Sequence, residues 1–275
     1  MKLLQWNIQW CCGMDGRVDP ARIARVSKDL CDPDVICFQE VADNYDSLAG
    51  SSGENQPELL KNLFPGYSAH FACAVDVSDG RGGRRRFGNM ILSRLPVRQV
   101  FHHSLPWPPE AGVQNMARVA LEAVIEAPWG PASVTTTHLE YYSAKQRAAQ
   151  VGRLCELQAE RAAHAVTEPA KTWKPGPFEP FARPAASILT GDFNMRPGDA
   201  QVSRLLEVWA DAWRIAHPGT PHPPSFGLFD SQFASEPYCC DFVLVTKDLA
   251  PRIAAVRVDM ERQESDHQPV IVTFT

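Results

Sequence analysis

Five motifs of acids, amides and histidines each close a hydrophobic run: Trp6-Asn7, Gln39-Glu40, Thr137-His138, Asp192-Phe193-Asn194 and Asp266-His267. Buried strands end so regularly in polar groups when those groups meet at one edge of a sheet. An Asn, a Glu, an Asp-x-Asn pair, an Asp-His pair and a lone His converging there would hold a hard metal ion and grip a phosphate.

Each motif alone also has a plainer reading. Glu40 at a strand end could face solvent, and Asn7 could form an Asx turn. Gly191-Asp192-Phe193-Asn194 could be an ordinary turn, and His138 and His267 could be satisfied or exposed polar groups.

Together the same residues supply a set of chemical roles. Mg²⁺ needs only one or two protein carboxylates, so Glu40 would suffice to anchor it. Asn7 would ligate the ion or position its ligands, and Asp266 could approach it. Asp192 and Asn194, two apart, point the same way in extended backbone. Asp192 could orient or deprotonate a water, and Asn194 could donate to a phosphoryl oxygen. His267 is a natural base near neutral pH, and Asp241 on another apolar strand is its candidate carboxylate. His138 could contact the phosphate or protonate the leaving oxygen. Asn89, at a strand start, is a candidate substrate contact. Arg84 and Arg86, with Arg81 and Arg85, read either as a solvated hairpin tip or as a mobile anion clamp.

The elements that must position these groups are legible in outline. Strand 2–8 leads to a helix that Asp19-Pro20 opens and that runs to Cys31, with Ile23, Val26 and Leu30 at helical spacing. Strand 35–39 comes next, then a short helix over 57–64. The spacing then predicts strands over 67–77, 87–93, 96–103, 115–126 and 132–138, a long helix over 143–166, strand 186–190, helix 199–209 and strands 239–246 and 268–274. The five prolines between Glu168 and Pro184 mark a surface loop. Alternating strands and helices with intervening hairpins predict two mixed sheets packed face to face, with helices outside.

The 275 residues carry a formal net charge of -5, which does not mark a general nucleic-acid binder. Hydrophobic residues at 44% supply an ample core. No stretch reads as a signal peptide or a spanning helix. The eight cysteines lack zinc-type spacing and read as reduced thiols, so a cytoplasmic location is expected.

In chain order, Trp6-Asn7, Gln39-Glu40, Gly88-Asn89 with Leu92-Ser93-Arg94, Thr137-His138-Leu139 followed by Arg147 and Gln150, Gly191-Asp192-Phe193-Asn194, Asp241 and Ser265-Asp266-His267 resemble the endonuclease/exonuclease/phosphatase superfamily from Leu3 to Val272. The resemblance implies one domain over residues 1–275, a four-layer α/β/β/α sandwich, and Mg²⁺- or Mn²⁺-dependent hydrolysis of a phosphate ester. It implies Glu40 as chief metal ligand with Asn7 and Asp266 close by, Asp192 aligning the water and Asn194 holding the phosphoryl group. It implies His267 with Asp241 as base or transition-state stabiliser, and His138 at the phosphate or leaving group.

Two positions depart from the superfamily pattern. Gln9 stands where apurinic endonucleases carry an acid, and no Arg precedes Asp241. The expected partner is a phosphorylated small molecule or a nucleic acid. The readings left open are a phosphodiesterase or phosphatase, a nuclease of the same mechanism, and a non-catalytic binding module.

Overall fold

The computed structural model describes residues 1–181, 183–230 and 236–275. Position 182, within the proline-rich loop, lies outside the described residues. The first part of the chain forms β1 (Lys2–Asn7), α1 (Pro20–Cys31), β2 (Val35–Asp43), α2 (Gln56–Leu63), β3 (Ser68–Ser78) and β4 (Arg84–Ser93). The middle forms β5 (Val97–Ser104), β6 (Val119–Ala127), β7 (Gly130–His138), α3 (Ala144–Val166) and β8 (Ser187–Asp192). The rest forms α4 (Ala200–Val208), β9 (Ala210–Asp211), α5 (Ala212–Ala216), β10 (Asp241–Val245), β11 (Ile253–Val258) and β12 (Val270–Phe274).

Two mixed six-stranded sheets result, ordered β11-β12-β1-β2-β4-β3 and β5-β6-β7-β8-β10-β9. In the first, β1 runs parallel to β2 and antiparallel to β12. In the second, β7 and β8 are parallel and β10 runs against β8. The C-terminal ends of β1, β2, β7 and β8 therefore lie beside the N-terminal ends of β10 and β12.

Each central strand is apolar on both faces because each face has its own core. Leu3, Val35, Cys37, Val134, Ile188, Val243 and Val272 fill the space between the sheets. Leu4, Trp6, Ile36 and Phe38 point the other way, onto Ile23 and Val26 of α1 and Leu60 of α2. Leu189 and Leu244 likewise pack on Val151 and Leu154 of α3 and Val202 and Leu205 of α4.

The strand period of two then carries each inward-facing run into polar residues. After Leu3 come Gln5 and Asn7. After Val134 come Thr136 and His138, and after Ile188 come Thr190 and Asp192. The apolar core between the sheets thus grades into a polar layer at one edge.

Among the strands and α-helices of the described residues, β9, α5 and β11 have no counterpart among the segments expected from the sequence. β4 begins at Arg84 rather than 87, so the arginine run lies on a paired strand. β6 begins at Val119 rather than 115. Among the described residues, no helix is long and apolar enough to cross a membrane.

Candidate active site

The buried polar layer is a hydrogen-bonded floor. Gln39 Nε2 donates to Gln5 Oε1 at 2.9 Å and to Thr136 Oγ1 at 2.7 Å, crossing from one sheet to the other. Gln5 Nε2 donates to Gln39 Oε1 at 2.6 Å and to Asp241 Oδ1 at 3.2 Å. These amides are fully buried, so each unmade bond would cost about 1–3 kcal/mol. Satisfied as they are, they fix the relative placement of the two sheets just beneath the site.

Two backbone features aim the carboxylates. The β2–β4 register shifts between Phe38 and Val41, and Glu40 takes a left-handed φ of 60° within that bulge. The bulge turns Glu40 out of the strand's alternation and toward the sheet edge. On β8, Gly191 has φ 145°, and a Cβ there would overlap the Thr137 carbonyl of β7. Only glycine lets β8 approach β7 closely enough to set Asp192 beside His138.

Asp192 Oδ2 is the hub. Asn7 Nδ2 donates to it at 3.0 Å, His138 Nε2 lies at 3.4 Å and His267 Nε2 at 3.6 Å. The Asn194 N–H donates to Asp192 Oδ1 at 2.9 Å, and Asn194 itself has φ 51°. Asn7 Oδ1 accepts from Gln9 N at 3.1 Å, so the expected Asx turn is present. That bond turns Nδ2 toward the carboxylates, where it also donates to Glu40 Oε1 at 3.0 Å. In this orientation Asn7 positions the acidic side chains.

The two histidines sit in opposite electrostatic settings. Burial, seconded by Arg118, pushes the His138 imidazole down to about 3. Asn194 Nδ2 donates to the Leu139 carbonyl at 2.9 Å and meets His138 Nε2 at 3.0 Å. The Nε2 lone pair of His138 is thereby used and its proton sits on Nδ1, toward Glu40 Oε1 at 3.8 Å. Burial pulls His267 down too, but Asp241, Asp192 and Asp266 outweigh it and hold this imidazole well above its ordinary range. Asp241 Oδ2 faces His267 Nδ1 at 2.8 Å and accepts from Ser225 Oγ at 2.7 Å.

Glu40 is raised to about 7 by burial and by the nearby Asp266 carboxylate. Asp266 is raised as well, first by burial. Glu40, Asp192 and Asp266 line one cavity, and the Arg118 guanidinium that shares it is bound to Glu140 at 3.2 Å. A divalent cation would relieve the repulsion among the three acids. The oxygen donors Glu40, Asp192 and Asp266 suit a hard ion such as Mg²⁺ or Mn²⁺, and ligand atoms of Glu40, His138 and Asp192 lie within 4.8 Å of one another.

The structure thus brings Asn7, Glu40, His138, Asp192, Asn194, Asp241, Asp266 and His267 to one edge. It holds the other three expected residues elsewhere. Asn89 is buried and donates to the Val119 carbonyl at 2.9 Å. Arg84 pairs with Asp76 at 2.7 Å, and Arg86 with Asp43 at 3.2 Å. None of the three lines the cavity.

Sequence reasoning missed Gln5, Arg118, Ser225 and Trp10. Gln5 carried a signal, since it sits two residues before Asn7 on the same face. Arg147 and Gln150 brace the loop after His138, through the Glu140 carbonyl at 2.6 Å and the Glu140 N–H at 2.9 Å.

This sandwich, with its acids, amides and histidines gathered at one edge, belongs to a family of known shape. The chain matches the Endonuclease/Exonuclease/phosphatase family over residues 4–267 and is a member of it. Members of this family are in general phosphoester hydrolases and typically use divalent metals. No curated protein sequence matches the chain significantly.

Solved structures share the fold. An endonuclease/exonuclease/phosphatase from Beutenbergia cavernae is 23% identical with a TM-score of 0.71, over 99% of this chain and 70% of that one. Truncated Caenorhabditis elegans TDP2 is 20% identical with a TM-score of 0.64, over 99% and 96%. A mannosyl-6-phosphatase from Bacteroides thetaiotaomicron is 16% identical with a TM-score of 0.66, over 100% and 99%.

Proposed function

We propose that this chain is a divalent-metal-dependent phosphoester hydrolase, a phosphodiesterase or phosphatase acting by in-line attack of water. The observation that carries the reading is the single oxygen Asp192 Oδ2, which faces Asn7 Nδ2 and the Nε2 atoms of both His138 and His267. A carboxylate fixed by the Asn7 amide and the Asn194 N–H, with both imidazoles at its open side, is placed to orient a water and accept its proton.

In this reading Glu40, which Asn7 positions, and Asp266 would hold Mg²⁺ or Mn²⁺. The ion would supply Lewis-acid stabilisation of charge on the phosphoryl oxygens. His267 stands with its electrostatics favouring imidazolium, so it serves as a cationic donor to a phosphoryl oxygen rather than as the base. Asp241 keeps that charge in place, with Ser225 and Gln5 holding the carboxylate. Asn194 fixes the neutral tautomer of His138 beside the leaving group.

The pairing of the hairpin arginines favours a small substrate over a nucleic acid. Arg84, Arg85 and Arg86 are bound to Asp76, Asp46 and Asp43, so they offer no free basic track for a polymer backbone. The test is hydrolysis of bis-p-nitrophenyl phosphate and p-nitrophenyl phosphate with Mg²⁺, with EDTA, and beside plasmid DNA. Chelator-sensitive turnover of a small ester supports the reading, and metal-independent turnover or none contradicts it.

A further inference from the structure

We propose that the cavity selects small phosphoesters whose esterified group carries a planar aromatic ring, with Trp10 and Tyr142 as the surfaces on which that ring stacks. The inference deepens the phosphoester reading above and rests on it.

The cavity has a volume of about 290 Å³. That is near the lower end for small-molecule sites, room for one ring system and its phosphate. Its wall is shared between two kinds of residue. One part is the acid and histidine set already described. The other is aromatic and apolar: Trp10, Met116, Tyr141, Tyr142 and Phe226.

Trp10 is held in place at the expense of backbone strain. Gln9, Trp10 and Cys11 all take left-handed φ, at 45°, 42° and 62°, with no glycine among them. Strained runs of this kind persist where the surroundings over-determine them, and they gather at ligand sites. The surroundings do so twice. Gln56 Nε2 donates to the Trp10 carbonyl at 2.6 Å, and the indole Nε1 donates to the Ala49 carbonyl at 2.9 Å. With its N–H used, the indole offers a ligand only π surface.

Tyr142 lines the same cavity as Trp10 and follows His138 by four residues. It is 54% exposed and Tyr141 is 39% exposed, with ring centroids 4.8 Å apart and planes at 89°. Its backbone N–H is fixed on Glu140 Oε1 at 2.9 Å. Exposed aromatic rings at the mouth of a polar site suit stacking on a planar partner, which is sequence-tolerant and depends on ring faces.

At the anionic end, Arg118 is 6% exposed, lines the same cavity, and its Nη1 has no hydrogen-bond partner. A buried guanidinium N–H without a partner is a donor for an anionic oxygen of the ligand. An anion donor and two stacking surfaces in one small cavity describe a ring-bearing phosphoester.

The test compares matched ligands that differ only in the ring. Adenosine 5′-monophosphate is set against ribose 5-phosphate, and benzyl phosphate against cyclohexylmethyl phosphate. Binding is measured by calorimetry with Mg²⁺ on Asp192→Asn, and turnover on the otherwise wild-type chain. The aromatic member of each pair is expected to bind roughly 10- to 100-fold more tightly. The Trp10→Ala and Tyr142→Ala changes are expected to remove most of that preference while leaving the two non-aromatic ligands within about two-fold, and Trp10→Phe to restore it.

Comparing adenosine 5′-monophosphate with benzyl phosphate tells a nucleobase from a simple aryl group. Tyr142→Ala, at an exposed position, serves if Trp10→Ala fails to fold. Equal affinities within both pairs overturn the inference, as does equal weakening of aromatic and non-aromatic ligands by Trp10→Ala and Tyr142→Ala. Ring preference without turnover sinks only the hydrolase reading. Turnover without ring preference sinks only this one, and no binding of any ligand sinks both.

Discussion

His267 Nδ1 lies 2.8 Å from Asp241 Oδ2, although the segments that carry them lead into different sheets. His267 precedes β12 of one, and Asp241 opens β10 of the other. Asp241 also accepts from Ser225 Oγ at 2.7 Å and from Gln5 Nε2 at 3.2 Å. These bonds hold the carboxylate against the imidazole, and its charge is the largest of those that raise His267. His267 is raised above its ordinary range, so its imidazolium persists at neutral pH and is lost only as pH climbs through that raised value. Asp241→Asn is expected to lower kcat by about 10²–10⁴-fold. It should also move the alkaline fall of activity toward lower pH, which a pH–rate profile will read. An unchanged profile would detach the dyad from the chemistry.

Arg118→Lys keeps the charge that Glu140 needs but removes the unpartnered Nη1 donor. Losing one charge-assisted hydrogen bond of about 1.5–3 kcal/mol is expected to reduce kcat/KM by roughly 10- to 100-fold. The melting temperature should change little. Steady-state kinetics beside thermal unfolding separates the two effects.

Gly191→Ala would drive a methyl group into the Thr137 carbonyl at a φ of 145°. The expected result is a loss of about 3 kcal/mol or more of stability, read by denaturant unfolding, because β8 can yield only by breaking its pairing with β7. An alanine chain of wild-type stability and activity would remove the close approach from the account.

Far from the cavity, Glu122 is fully buried among His103 at 2.8 Å, Arg161 at 2.9 Å and Ser133 at 2.9 Å. Burial raises its carboxyl, but the His103 bond and the Arg161 charge outweigh that and bring it down to about 2. A carboxyl lowered by folding stabilises the native state above its unfolded value of about 4.3. That contribution drains away as pH falls toward about 2. Glu122→Gln leaves Arg161 a buried charge without its carboxylate and is expected to cost about 3–5 kcal/mol at neutral pH. The difference from the parent chain should shrink as the pH of the unfolding experiment drops from about 5 to about 2.

The layered fold was legible because its strands are apolar on both faces and its first helix is marked by Asp19 and Pro20. Asp19 does cap α1, accepting from Arg22 N at 2.9 Å. β11 escaped because Ile253–Val258 is an edge strand in which only Val256 is buried, so its short apolar run shows no in-out alternation. The polar strand ends were legible one at a time, and the shared edge followed from strand direction. Spacing could not supply partnership across the two sheets. Ser225 on a proline-rich loop and Arg118 ahead of β6 have no local signal, since their partners are 16 and 22 residues away. The hairpin arginines stayed open between a solvated tip and an anion clamp for the same reason: their aspartate partners at 43, 46 and 76 are invisible until β2, β3 and β4 pair.

The most direct measurement is hydrolysis of bis-p-nitrophenyl phosphate and p-nitrophenyl phosphate against Mg²⁺ concentration, for the parent chain, Glu40→Gln and Asp192→Asn. The expected result is turnover that EDTA abolishes, a Mg²⁺ requirement shifted upward in Glu40→Gln, and a loss of about 10³-fold or more in Asp192→Asn with the fold intact. Parent-level turnover in Asp192→Asn, or turnover that ignores the metal, would contradict the account.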